Sequence, residues 1–273
     1  MADESLIGQQ PAGLFINTNN NLYIADRQNS RILIWYNESF TEKMIISGNL
    51  INVWSLFVAT KHDIYVDKWI VNRTEDTSTT HSTNSCTGLF LVDGSNALYC
   101  SSIEQHRVLN IELDTGVNVP VAGTGCPGPL TNMLDHPHGI FVDDSMNLFV
   151  ADTDNNRVQR FGTGQSHATT IAGFGEPIVF MLERPTSVVI DGDDCVYIVD
   201  SGNNRIIRLV SHGYECLFGC SKEGESSASV LNKPQMMAFD KYGNILVADV
   251  GNRRLQKFAL ARNSCGRYIH VIS

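Results

Sequence analysis

Four sets of acid, amide and guanidinium groups are the first residues in this sequence with the makings of chemistry. Asp26, Asp152, Asp200 and Asp249 are each followed by an Asn (Asn29, Asn155, Asn203, Asn252) and then an Arg (Arg31, Arg157, Arg205, Arg254) at constant offsets. Such a set invites reading as a site, but its recurrence argues otherwise. A reaction needs its residues once, whereas a turn must be built in every copy of a repeat. Asp and Asn bond local backbone and tolerate turn dihedrals, and Arg forks onto carboxylates or carbonyls, so the sets read as turn-builders. The sequence holds no Gly-x-Ser-x-Gly, no phosphate loop and no His-Glu-x-x-His, so no nucleophile or nucleotide chemistry is indicated. Asp191-Gly192-Asp193-Asp194 lacks the ligand ladder of a calcium loop and reads as a solvated hairpin turn. His106 and His136 read as turn residues, which leaves His138, within Pro137-His138-Gly139-Ile140, as the histidine of interest.

The elements that must position these residues form a repeat. Pro137 to Arg157, Pro185 to Arg205 and Pro234 to Arg254 share one spacing, and Pro11 to Arg31 keeps it. Two further copies are degenerate. In one, Val53, Lys68 and Val71 stand at the Pro, Asp and Asn positions, with Arg73 as the anchor. In the other, Ser102 and Gln105 replace Asp and Asn, and Arg107 remains. The anchors at Arg31, Arg73, Arg107, Arg157, Arg205 and Arg254 recur with a period of about 45 residues, as propeller blades do. Each copy reads as short apolar strands broken by Asp, Gly, Asn and Ser turns, with no helical period. The pattern predicts an all-β fold, a six-bladed β-propeller with four antiparallel strands per blade. Residues 1–10 are expected to lead in, 11–265 to form the propeller, and 266–273 to end the last blade. Leu14, Ile16, Ile140, Val142, Val188 and Ile190 are expected in the core.

Composition narrows the partners. The chain has 273 residues, 42% of them hydrophobic, and a net charge of −9. Nucleic acid and anionic membrane surfaces call for clustered Lys and Arg, so neither is an expected partner. No apolar run is long enough to span a bilayer, so no membrane insertion is expected. The seven cysteines lack zinc-finger spacing. Antiparallel pairing would bring Cys86 and Cys100 together, and a tight turn at Gly219 would let Cys216 bond Cys220. Two disulfides and the sequons at Asn37 and Asn72 favour an extracellular or cell-surface location over the cytoplasm. Since residues 1–5 do not resemble a signal peptide, a signal peptide or neighbouring domain is expected outside this stretch.

The pattern Pro-x-Gly-Ile-x-Val-Asp…Leu-x-Val-Ala-Asp-x-x-Asn-x-Arg, best seen at 137–158, 185–206 and 234–255, resembles the NHL-repeat family. That resemblance covers nearly the whole chain and implies a propeller. One enzyme of the family, the peptidyl-α-hydroxyglycine lyase, holds zinc with histidines that follow Pro at blade starts. His138 matches, but Ala12, Trp54, Thr186, Gln235 and either Thr87 or Gly88 stand at the other positions. A catalytic zinc needs about three protein ligands. No catalytic residue, metal or cofactor is therefore expected, and His138 is the one candidate ligand. The reading is a non-catalytic binding or scaffold module, monomeric, presenting propeller loops to a protein or glycan partner. Trp54, Lys68, Trp69 and His138, with the polar run 74–84, are the candidate partner surface. The alternatives are a substrate-recognition propeller of a ubiquitin ligase or adaptor, and the zinc-dependent lyase.

Overall fold

The computed structural model describes residues 10–38, 43–47, 50, 53–59, 63–66, 69–71, 78–80, 85–92, 94–174, 180–210, 213–220, 230–263 and 266–270. Their strands fall into four-stranded antiparallel sheets, each built from consecutive segments. The first holds β1 (Pro11–Ile16), β2 (Leu22–Asp26), β3 (Arg31–Trp35) and β4 (Lys43–Ser47). Next come β5 (Leu56–Val58), β6 (Ile64–Val66), β7 (Trp69–Val71) and β8 (Ser78–Thr80). The third sheet holds β9 (Gly88–Leu91), β10 (Ala97–Ser102), β11 (Arg107–Glu112) and β12 (Asn118–Ala122). The fourth holds β13 (Pro137–Val142), β14 (Leu148–Asp152), β15 (Arg157–Phe161) and β16 (Thr169–Gly173). The fifth holds β17 (Pro185–Ile190), β18 (Val196–Asp200), β19 (Arg205–Val210) and β20 (Gly213–Phe218). The last holds β21 (Pro234–Phe239), β22 (Ile245–Asp249), β23 (Arg254–Asn263) and β24 (Gly266–His270).

The repeat spacing is the register of these hairpins. Pro11, Pro137, Pro185 and Pro234 lie opposite Asp26, Asp152, Asp200 and Asp249, and each Asp lies opposite its Arg. Proline suits the first position of an innermost strand because no ladder donor is needed there. The turn into the second strand is closed by an Asx side chain. Asn17, Asp143, Asp191 and Asp240 accept the N–H of Asn21, Asn147, Cys195 and Asn244 at 2.8–3.0 Å. Asp191-Gly192-Asp193-Asp194 is thus one of these hairpin turns.

The first strands form the inner ring, in the order β1, β5, β9, β13, β17, β21 and back to β1. Close approach needs glycine where neighbouring first strands touch: a Cβ added at Gly139 would lie 2.7 Å from the Thr186 carbonyl oxygen. Apolar side chains from adjacent sheets pack as one cluster at each seam. The seam between the last and first sheets packs Leu14, Leu22 and Trp35 on Leu246 and Leu255. There the Lys241 N–H also donates to Asn20 Oδ1 at 3.0 Å. Among the described residues no sheet borrows a strand from the other end of the chain, and apolar packing joins the last sheet to the first.

One expectation is corrected. The sequence predicts a six-bladed propeller with four strands per blade, but among the described residues only five sheets are full blades. In the second sheet each strand has three residues. Val66 pairs with Trp69. In the full blades the third strand begins at the anchor Arg; here β7 begins at Trp69, and Arg73 lies outside the described residues. The physical reason is the missing Asp and Asn: Lys68 and Val71, at their positions, cannot build the clamp that sets the register of the full blades. No helix among the described residues is long and apolar enough to cross a membrane.

Candidate functional site

The Asp, Asn and Arg sets build clamps. Asp26, Asp152, Asp200 and Asp249 are fully buried. Each receives Arg Nε on Oδ2 at 2.6–2.8 Å and Asn Nδ2 on the same oxygen at 2.8–2.9 Å. In the last three blades Oδ1 accepts the N–H of Asp135, Glu183 or Asn232 at 2.7 Å, which pins the chain leading into the first strand. The Arg then reaches the preceding inter-blade loop: Nη2 of Arg157, Arg205 and Arg254 donates to the carbonyls of Leu130, Met181 and Val230 at 2.8–2.9 Å. Burial pushes the Asp152 and Asp200 carboxyls up, against the hydrogen bonds and guanidinium charge that favour ionisation. Their buried bonds are all spent on holding the blade, which is the turn-building role the recurrence implied.

The residues that depart from the repeat meet at the end of the ring where the first strands begin. Ala12, Trp54, Thr87, His138, Thr186 and Gln235 occupy one position around the channel mouth. Thr87 rather than Gly88 is the third member, because its hydroxyl donates to Pro137 O as that of Thr186 does to Pro234 O, at 3.1 and 3.4 Å. The Trp54 and His138 rings meet edge to face with centroids 6.4 Å apart. The Arg27 guanidinium carbon lies 3.5 Å from the centre of the Trp54 ring, a cation–π contact. Burial first, then the charges of Arg184 and His136, hold the His138 pKa down to about 4, so the ring is neutral near pH 7. No second imidazole stands at this ring position, so the zinc set of the lyase pattern is not assembled here. Lys68 lies outside the described residues, as do the Trp69 side chain and all of 74–84 except the backbone of β8. Of the expected partner surface, then, the structure brings Trp54 and His138 together.

Beside this mouth, at the seam between the third and fourth blades, lies a polar group the sequence reading missed. His136 Nδ1 is 2.7 Å from Asp135 Oδ1 and 2.9 Å from Asp154 Oδ2, and His106 Nδ1 is 3.3 Å from Asp135 Oδ1. Arg184 pairs with the other oxygen of Asp154. His106 and His136 do sit in turns, at φ of 49° and 48°, as expected. Their meeting was not legible because thirty residues separate them (|i−j| = 30). The available signal was that sister copies carry Asn156 and Asn204 in place of His106, and Arg184 and Lys233 in place of His136.

Disulfides join Cys86 to Cys100 and Cys216 to Cys220. Cys126 is an exposed free thiol among the described residues.

The NHL repeat family matches residues 134–161, the stretch that holds the fourth-blade clamp. One NHL repeat therefore lies in the fourth blade of a β-propeller. No curated protein matches this chain in sequence. An auxiliary nutrient binding protein from Bacteroides thetaiotaomicron superposes with a TM-score of 0.70 at 16% identity, over 91% of this chain and 68% of that one. Virginiamycin B lyase from Staphylococcus aureus superposes at 0.66 and 13% identity, over 100% of this chain and 87% of that one. The extracellular domain of a putative hybrid two component system from B. thetaiotaomicron gives 0.63 at 12% identity, over 98% of this chain and 39% of that one. At these identities the likeness is one of fold.

Below its mouth the propeller's channel is apolar. Phe15, Phe57, Phe90 and Phe141 follow one another around it, with centroids 4.7, 5.5 and 5.0 Å apart. With Val189 and Ala238 they line a cavity of about 240 Å³. A groove of about 700 Å³ opens at the far face between the last two blades, beside Asp193, Lys241 and Tyr242. Its carboxylates Asp191 and Asp240 are held by their own turns.

Proposed function

We propose that this chain is a non-catalytic propeller binding module of the cell exterior, taking a protein or glycan ligand on the face where the first strands begin. One observation carries the reading: the clamps fix a rigid face and also point apolar side chains outward from it. The loops whose carbonyls are held by Arg157, Arg205 and Arg254 expose Leu130 (62%), Met181 (67%) and Val230 (44%) to solvent. Trp54 and His138 stand at the centre of that rim. Rigid presentation lowers the ordering cost of binding, and exposed apolar groups around an aromatic centre suit a partner surface. The two disulfides favour an oxidising compartment. The similarly folded extracellular domain supports that placement.

The test uses a glycan array and a protein-interaction screen under oxidising conditions. Wild type is compared with Trp54→Ala/His138→Ala and with Leu130→Ser/Met181→Ser/Val230→Ser. Either variant should lose at least about tenfold in affinity, the scale of one central anchor. Ligand binding undiminished in both variants would overturn the reading. Non-reducing mass spectrometry adds a check on compartment: Cys86, Cys100, Cys216 and Cys220 should be blocked to alkylation in protein isolated from its source.

A further inference from the structure

The seam between the third and fourth blades carries more than a turn. At the two following seams a latch ties each blade to the next. Asn156 Oδ1 accepts the N–H of Arg184 at 2.8 Å, and Asn204 Oδ1 accepts that of Lys233 at 2.7 Å. His106 takes the same part at its own seam, its Nδ1 accepting the N–H of His136 at 3.3 Å. The backbone is the same in all three, with φ of 49° at His106, 53° at Asn156 and 55° at Asn204. What differs is the chemistry. In the sister seams a fixed cation, Arg184 or Lys233, precedes the Pro; here an imidazole does, with Asp135 before it.

The result is a convergence of lone pairs. A His106 Nδ1 that accepts a backbone N–H cannot also donate to Asp135, yet Asp135 Oδ1 lies 3.3 Å away. His136 Nδ1 lies 2.7 Å from that same oxygen. The three ligand atoms fall within 4.8 Å of one another. A tetrahedral zinc with bonds of about 2.0–2.1 Å sets its ligands roughly 3.3 Å apart, so small side-chain rotations would bring all three onto one ion. The side chains of His106, Asp135 and His136 are 15%, 26% and 43% exposed, which gives an ion a path in from solvent.

We infer that His106 Nδ1, Asp135 Oδ1 and His136 Nδ1 form a three-ligand site for a divalent transition ion of the zinc type, joining the third blade to the fourth. Two imidazoles and one carboxylate are a borderline donor set that suits zinc over calcium or magnesium. The site lies outside the channel and goes beyond the binding-module reading, which stands or falls without it.

The sister seams supply the test. His106→Asn, Asp135→Asn and His136→Lys each install the residue that the last seam carries at that position (Asn204, Asn232, Lys233). His106→Asn keeps a latch acceptor while removing the imidazole. Chelator-treated full-length protein is titrated with zinc chloride by calorimetry, and with cobalt chloride by visible absorption. Wild type should take up one zinc per chain with micromolar affinity or better. Each single variant should bind at least tenfold more weakly, and the triple variant should lose the site. Circular dichroism and thermal midpoints without metal should match among all of them, which separates ligand loss from misfolding. The triple variant retains Cys126 and every other histidine, so it also measures adventitious zinc. Wild-type uptake no greater than that of the triple variant overturns the inference, as does full affinity in His106→Asn.

Discussion

The third and fourth blades perform the same mechanical task by different chemistry. In the fourth, buried Asp152 gathers Asn155, Arg157 and the N–H of Asp135, and so ties the chain entering β13 to the end of β14. In the third, Ser102 and Gln105 stand where that Asp and Asn would be. The chain entering β9 is instead tied to β10 by the Cys86–Cys100 bond, with Cα atoms 5.3 Å apart. Arg107 still begins β11, but its Nε finds only Gln105 O at 3.3 Å. The second sheet has neither device among its described residues, and its strands are the shortest. Lead-in and second strand must be fastened for a full-length blade to form, and the fastening is ionic in one case and covalent in the other.

Breaking the ionic fastening should cost most. Asp152→Ala strands the Arg157 guanidinium, whose side chain is only 5% exposed. Urea denaturation should show a loss of about 3–5 kcal/mol, the range for removing one partner of a buried pair. A loss under 1 kcal/mol would mean the clamp is dispensable. Removing the covalent fastening with Cys86→Ala/Cys100→Ala should cost about 3 kcal/mol for a loop of this length. Reductant should lower the thermal midpoint of wild type by more than that of the variant, which keeps the Cys216–Cys220 bond. The two devices can then be exchanged. Adding Ser102→Asp and Gln105→Asn to the variant lacking Cys86 and Cys100 gives Arg107 a clamp and should restore at least about 1 kcal/mol, the scale of a charge-assisted hydrogen bond. No recovery would show that the fourth-blade clamp depends on its surroundings. The smallest effect should be common to both blades. Thr87 and Thr153 each donate a hydroxyl to the next blade, to Pro137 O and Pro185 O at 3.1 and 2.7 Å. Valine at either position should cost about 1 kcal/mol in the same assay.

Much of this was legible in the residues because the constraint is local. A Pro, an Asp and an Arg at constant spacing define one hairpin register, and register follows from chain geometry alone. Four strong copies therefore showed the clamps, the strand order and their structural role. The second copy misled because Arg73 keeps the spacing without the Asp and Asn that make the spacing matter. Cys86 with Cys100, and Cys216 with Cys220, were readable for the same reason as the hairpins: each pair is close in sequence.

The sequence by itself determined a ring of β-hairpin repeats, its clamps, its local disulfides and an acidic balance. Those properties rest on contacts within about twenty residues and on composition. Tertiary structure alone decided which faces the unusual residues share. Trp54 and His138 lie two blades apart, and His106 reaches His136 across a seam. Only ring closure, driven by apolar packing at every seam, brings such pairs together, because the number of ways distant segments can pack grows far faster than a hairpin register can vary.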